Sequence, residues 1–223
     1  MQITQWNCSS QDNFDEKYLE EALKNSDLCL LQRCKDNFLF VAQNKFSNVF
    51  DIKHSSNRSL VIGTNFNIEQ QKHFELPTFN LLKKHNDPNQ GSVAQSVIIK
   101  DTQIINFQIA YEDENVNEQC TYDDFGYIFE NIVEKDRCLI VGDIHYEPDT
   151  PLEIVGTIEY HKFKDNTNHI ATFSKVVMGN IKSFRHDRIL TKGNIKINNL
   201  QSFARSHTEG NAHWIINYVM EQQ

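Results

Sequence analysis

The chain is short of positive charge. Its 22 Lys and Arg stand against 30 Asp and Glu, a formal net charge of −8 over 223 residues. A surface that displaces counterions from a polyphosphate backbone needs clustered Lys and Arg. No such cluster stands out, so long nucleic acid is not expected as a partner. Long apolar runs are lacking too. No stretch approaches the ~18 apolar residues of a membrane-spanning helix, and no basic segment followed by an apolar one opens the sequence. The expectation is a soluble, cytoplasmic protein, with signal-independent export left open. Cysteine is sparse and odd in number: Cys8, Cys29, Cys34, Cys120 and Cys138. None forms a C-x-x-C pair with matching ligands elsewhere, which argues against a zinc site. Cys29 and Cys138 sit inside apolar runs, where a thiol acts as a small hydrophobe, and this fits a reducing compartment. Internal repeats, low-complexity tracts and linkers are missing as well, so residues 1–223 read as a single domain.

What is present is a large aromatic and aliphatic core. The hydrophobic fraction is 39%, with 15 Phe and 7 Tyr, enough at this length to fold without disulfides. Gln2 to Trp6 alternates polar and apolar as a strand does. Asn13 followed by Glu16 looks like a capping box, with Phe14, Tyr18, Leu19, Ala22 and Leu23 forming the apolar stripe of a helix that ends near Asn25. Leu28 to Leu31 is an all-apolar run of the kind found in strands covered on both faces. Further strands are expected at Phe38 to Ala42, Asn48 to Ile52 and Leu60 to Gly63. Residues 66 to 92, with Pro77, Pro88 and Gly91, read as irregular loop with room for one short strand. Ala94 to Lys100 and Gln103 to Ala110 suggest a hairpin turning at Asp101-Thr102. A second helix is expected from Tyr122 to Lys135, a buried strand at Cys138 to Val141, and loop over residues 144 to 170. Three strands close the chain: Ala171 to Phe173, Arg188 to Thr191, and Trp214 to Met220. Many strands with two clear helices predict an α+β domain whose sheets pack face to face.

Polar groups stand at several of these strand ends. Asn7 follows Trp6, Asp143 follows Gly142, Asp187 opens one late strand and His213 precedes another. By residue type alone each reads as a turn residue or a satisfied boundary residue. Their order says more. Trp6-Asn7, a helix, Leu31-Gln32, a hairpin, a second helix, Val141-Gly142-Asp143, Thr172-Phe173-Ser174, Asp187-Arg188-Ile189-Leu190 and a His-led final strand together resemble the endonuclease/exonuclease/phosphatase superfamily over nearly the whole chain.

The resemblance implies a four-layer α/β/β/α sandwich of two mixed β-sheets with flanking helices. It also implies strand ends that converge on a divalent metal, magnesium or manganese, and hydrolysis of a phosphodiester or phosphomonoester. On the matching positions, Asn7 is the metal-proximal Asn, Asp143 activates water, and Asp187 pairs with His213, which binds phosphate or activates water. Four positions depart from the pattern. Arg33 stands where the family has the Glu that is its main metal ligand, His145 where it has Asn, Gln108 where many members have His, and Ala212 where it has Asp. Neither neighbour of Arg33 is a carboxylate (Gln32 and Cys34), and the nearest acid is Asp36.

A hard cation wants anionic oxygen ligands, so magnesium in its usual seat is in doubt, and the cofactor is magnesium, manganese or none. Arg33 then has two readings. In one it fills an abandoned site and pairs with Asp143 or Asp187. In the other it supplies fixed positive charge for phosphate. A third arrangement puts His145 and His213 with Asp143 around a transition metal. Cys8, directly after Asn7, reads as packing rather than as a nucleophile. The expectation leans to a protein that keeps the fold with lost or reduced activity and acts as a binding module. The alternative is a metal-dependent phosphoesterase using Asp143, Asp187 and His213. A small phosphorylated ligand or a protein partner fits the composition better than long nucleic acid.

Overall fold

The computed structural model describes residues 1–8, 16–55, 58–79, 92–109, 118–144, 152–167, 170–177, 180–184, 186–203 and 212–222. Two six-stranded mixed sheets form its centre. In the first, the order is β13 (Ile195–Phe203), β15 (Ile215–Gln222), β1 (Gln2–Asn7), β2 (Leu28–Cys34), β4 (Arg58–Thr64) and β3 (Asn48–Ser55). In the second it is β5 (Gln70–Glu75), β6 (Val93–Ile99), β7 (Thr102–Gln108), β8 (Cys138–Asp143), β12 (Asp187–Lys192) and β9 (Lys164–Asp165). β1–β2 and β7–β8 are parallel, and the other pairs are antiparallel. A small third sheet joins β11 (Asn180–Phe184), β10 (Phe173–Val177) and β14 (Ala212–His213).

The continuous apolar runs sort by the two-residue period of a strand. Along β2, Leu28 and Leu30 face the second sheet, meeting Ile104, Leu139, Val141 and Ile189. Cys29 and Leu31 face the other way, onto Leu19 and Leu23 of α1 (Glu16–Leu23) and Phe38 and Val41 of α2 (Asp36–Lys45). On the second sheet Ile105, Phe107 and Ile140 turn outward. They meet Phe125 of α3 (Glu118–Tyr127), Phe129 of the π-helical turn that continues it over Ile128–Ile132, and Ile154 and Ile158 of α4 (Leu152–Tyr160). The result is the α/β/β/α sandwich expected from the resemblance. Burying a Leu or Ile on each inner face contributes roughly 1.5–3 kcal/mol per side chain, and that inter-sheet layer holds the strand ends in place.

Some elements differ from expectation. Phe38 to Ala42 is helix, not strand. Phe38, Val41 and Ala42 are buried at i, i+3 and i+4 while Phe40 is 59% exposed, and Asp36 and Lys45 sit at the ends that the helix dipole favours. Residues 144 to 170 are not all loop. Ile154 and Ile158, one turn apart, dock α4 on the core, whereas Leu152 and Tyr160 are exposed. β13 was not foreseen because its alternation is mostly polar. The β6–β7 hairpin turns at Lys100-Asp101, one residue earlier than expected. Both have positive φ (49° and 59°), the conformation a two-residue hairpin loop requires. The capping Asn13 lies outside the described residues.

Candidate active site

Register places the polar strand ends in two facing rows. On the second sheet Gln108 of β7 is level with Asp143 of β8, and Asp143 with Asp187 of β12. On the first sheet Asn7 of β1 is level with Gln32 of β2. His213 comes from the small third sheet, where it is level with Phe173. The main chain around it is tied down twice. Trp6 Nε1 donates to His213 O at 3.3 Å, and Trp214 N donates to Thr172 O at 2.7 Å.

The side chains form one linked group. His213 Nδ1 lies 3.0 Å from Asp187 Oδ2, and His213 Nε2 lies 3.7 Å from Asp143 Oδ2. Asn7 Nδ2 donates to the same Asp143 oxygen at 2.5 Å. Asp187 is held from behind, its N–H donating to Thr172 Oγ1 at 2.9 Å. Asp143, Asp187 and His213 are buried. Gly142 makes the placement of Asp143 possible. A Cβ there would meet the Phe107 ring and its carbonyl oxygen at 2.5 Å, so only glycine lets β8 lie this close to β7.

Burial disfavours charge on His213, but the Asp187 and Asp143 carboxylates outweigh it and hold the imidazole proton above its ordinary range, with Arg33 pulling the other way. Burial likewise pushes Asp187 up, opposed by His213 and reinforced by Asp143. Each of the two groups therefore keeps its proton to higher pH than it would free in water. A protonated imidazole fixed between two carboxylates can present a proton to an oxyanion, and a carboxylate beside it can accept one from water.

The sequence-derived residues Asn7, Asp143, Asp187 and His213 are thus brought together, and Arg33 acts on the same imidazole through its charge. Gln108 lies in the row but turns its amide to Ile109 O at 2.7 Å. Cys8 is buried, with its N–H on Gln32 O. His145 and the Asn before Ala212 lie outside the described residues. Asp187 and Arg188 do not form a pair with each other: Arg188 is buried and approaches Asp165 at 3.5 Å. Three groups were missed. Thr172, visible in the Thr-Phe-Ser motif, supports Asp187. His186 is buried with its ring stacked on Phe173 at 4.3 Å, and Phe173 lies 4.8 Å from His213. Arg58 binds backbone at both strand ends of the first sheet, a role no sequence spacing signals.

Asp143, Asp187 and His213 offer ligand atoms within 4.8 Å of one another, the size of a metal centre. The chemistry suits a hard cation poorly. Magnesium prefers a near-octahedral shell of oxygens. Here His213 Nδ1 is engaged by Asp187 and the near oxygen of Asp143 by Asn7.

No family model matches the sequence, and no curated protein does. The fold is found among solved structures. An endonuclease/exonuclease/phosphatase from Bacteroides vulgatus superposes with a TM-score of 0.74 at 12% identity, covering 100% of this chain and 98% of that one. The Neisseria 3′ phosphatase NExo, bound to a product DNA hairpin, gives 0.72 at 12% identity with 99% of both chains covered. D. rerio TDP2, complexed with a single-strand DNA product, gives 0.71 at 12% identity, covering 100% of this chain and 99% of that one. Two of these hold DNA, which overturns the inference from net charge that long nucleic acid is an unsuitable partner and a small ligand or protein a better one. Whole-chain charge does not set the potential at a site built from a handful of groups. At such identities the likeness speaks for architecture: the chain has the deoxyribonuclease-I-like fold of the endonuclease/exonuclease/phosphatase superfamily.

Proposed function

We propose that this chain is a hydrolase of phosphate esters on nucleic acid, acting at the group formed by Asn7, Asp143, Asp187 and His213. The observation that carries this reading is the continuous contact Asp187–His213–Asp143–Asn7, drawn from three sheets onto one point. Asp187 orients the imidazole through Nδ1, which turns Nε2 toward the reacting phosphate. There the imidazolium stabilises charge building on a phosphoryl oxygen and gives its Nε2 proton to the leaving ester oxygen as that P–O bond breaks. Asp143 is placed to take a proton from the attacking water, and the Asn7 amide fixes its carboxylate. The DNA seen with NExo and TDP2 supports a terminal or internal phosphate of a strand as the substrate class.

A second reading keeps phosphate binding and gives up turnover. It is favoured by the end of β2, where Gln32, Arg33 and Cys34 offer no carboxylate. One experiment separates the two. DNA single strands and hairpins carrying 5′ or 3′ phosphates are incubated with the protein, and product is resolved by electrophoresis. Turnover in the parent that falls in His213→Gln and Asp143→Asn supports the hydrolase. Binding without turnover under all metal conditions removes it and leaves the second reading.

A further inference from the structure

The first-sheet wall of the site carries its positive charge on a residue in an unusual backbone state. Arg33 has φ 50°, in the left-handed region, where the register of β2 against β4 shifts between Leu31 and Cys34. That region is unfavourable for a residue with a Cβ, so the neighbours must hold it there. Arg58 is the holder. Its Nη1 donates to Cys8 O at 3.3 Å and to Arg33 O at 3.2 Å. One guanidinium thereby ties the carbonyl just after Asn7 to the carbonyl of Arg33, and fixes the spacing of the two strand ends. Gln32, the residue before Arg33, is level with Asn7, whose amide donates to Asp143, so the strand end that carries Arg33 adjoins the acidic group.

Two buried carboxylates in contact with one imidazole call for positive charge nearby. In a site of this size the usual source is an ion. Here the chain has its own, a guanidinium that is charged at every accessible pH and whose planar fork of donors matches phosphate oxygens. A divalent cation entering the same space would be repelled by it. Resting on the phosphoesterase reading above, we propose that Arg33 takes the place of a metal ion: the phosphate of a nucleic-acid strand binds beside Arg33 and His213 without a divalent cation. Arg58 is a positioning residue that holds Arg33 in its left-handed conformation.

The test is fluorescence anisotropy with a labelled 5′-phosphorylated DNA strand, in EDTA and in millimolar Mg²⁺ or Mn²⁺, alongside calorimetric titration of Mn²⁺ alone. The parent is expected to bind equally well, within about twofold, in EDTA and in metal. Arg33→Gly removes the charge and relieves the backbone, so it should melt higher than the parent yet bind the strand on the order of tenfold or more weakly. Arg33→Lys, with charge but no fork, should fall between the two. Arg33→Glu should bind Mn²⁺ where the parent does not. Arg58→Met should lower affinity for the phosphorylated strand more than for the same strand without its phosphate, a split that general loss of fold would not give. Binding by the parent that needs Mg²⁺ or Mn²⁺, or unaltered EDTA-resistant binding by Arg33→Gly, overturns this proposal and leaves the hydrolase reading standing. No binding by the parent with or without metal overturns both.

Discussion

The two walls of the site are built on opposite principles. The wall from β8, β12 and β14 is acidic, regular and hydrogen-bonded. Asp143 and Asp187 are level in an ordinary antiparallel ladder, Asp143 accepting from Asn7 Nδ2 and the Asp187 main-chain N–H donating to Thr172 Oγ1. The wall from β2 is basic and irregular. Arg33 sits in a bulge with left-handed backbone and is kept there by a second arginine. A regular ladder fixes where a group sits through many equivalent bonds. A bulge re-aims one side chain at the cost of local pairing, and Arg33 is the residue re-aimed on the irregular wall. The acidic wall should therefore lose stability when altered, and the basic wall should lose binding.

The largest expected effect is on the acidic wall. His213→Ala leaves two fully buried carboxylates without the imidazole between them. Breaking such a group costs about 4 kcal/mol, read as a lower urea midpoint at unchanged slope. A loss under about 1 kcal/mol would mean that His213 contributes no net stability, and the contrast between the walls would fail. Next is Gly142→Ala. The added Cβ meets both the ring and the backbone oxygen of Phe107 at 2.5 Å, so β7 and β8 must part. Overpacking of this kind costs about 3 kcal/mol. Because Asp143 follows directly, the variant should also lose turnover out of proportion to its stability. Turnover equal to the parent at a temperature where the variant is folded would show that Asp143 is not held by this close approach.

How far sequence reaches into this molecule depends on the scale of the interaction. The apolar runs Leu28 to Leu31 and Cys138 to Val141 were legible as two-faced strands because their composition states burial on both sides. Phe38 to Ala42 was misread because five apolar residues fit either period, and only the exposure of Phe40 decides. At the site, Asn7, Asp143, Asp187 and His213 were legible as strand-end polar residues in a telling order. The identity of Arg33 was legible as well. Its backbone state was not, since nothing in Gln32-Arg33-Cys34 marks a left-handed residue, and Arg58 reaches it across 25 positions through a carbonyl that every residue has. Contacts to backbone leave no trace in residue type. The same reason hid the bridge between the walls at Asn106.

Asn106 of β7 donates to Leu31 O at 3.2 Å and Val61 O at 3.0 Å and accepts from Gln32 Nε2 at 2.6 Å, crossing from one sheet to the other beneath the site. Asn106→Ala strands these groups in a buried layer and should cost about 2 kcal/mol. Its use lies in testing whether the walls are coupled. Combined with Arg33→Gly, it should give a non-additive effect on phosphate affinity, since Gln32 sits between the two positions. Strict additivity in the double-mutant cycle would mean that each wall is positioned independently.

The smallest effect concerns a carboxylate buried with no cation beside it among the described residues, and it sets the background against which the site must be read. Asp124 of α3 is buried, and its Oδ1 accepts from Thr78 N at 2.7 Å. Burial raises its pKa, while hydrogen bonds from Ser92 and Thr78 hold it back only in part. The folded chain thus keeps the Asp124 proton to a higher pH than the unfolded chain does. Between those two pKa values the native state binds more protons, so stability from this group is complete below the unfolded value and is lost as pH rises through the folded one. Asp124→Asn keeps an acceptor for Thr78 N and cannot ionise. Urea unfolding at a series of pH values above 4 should show the variant gaining on the parent as pH rises. A constant difference across that range would mean that Asp124 is already ionised in the fold. Asp143 and Asp187 meet the same burial with the His213 imidazole within 3.7 Å, so unlike Asp124 they have a partner that favours their charged form.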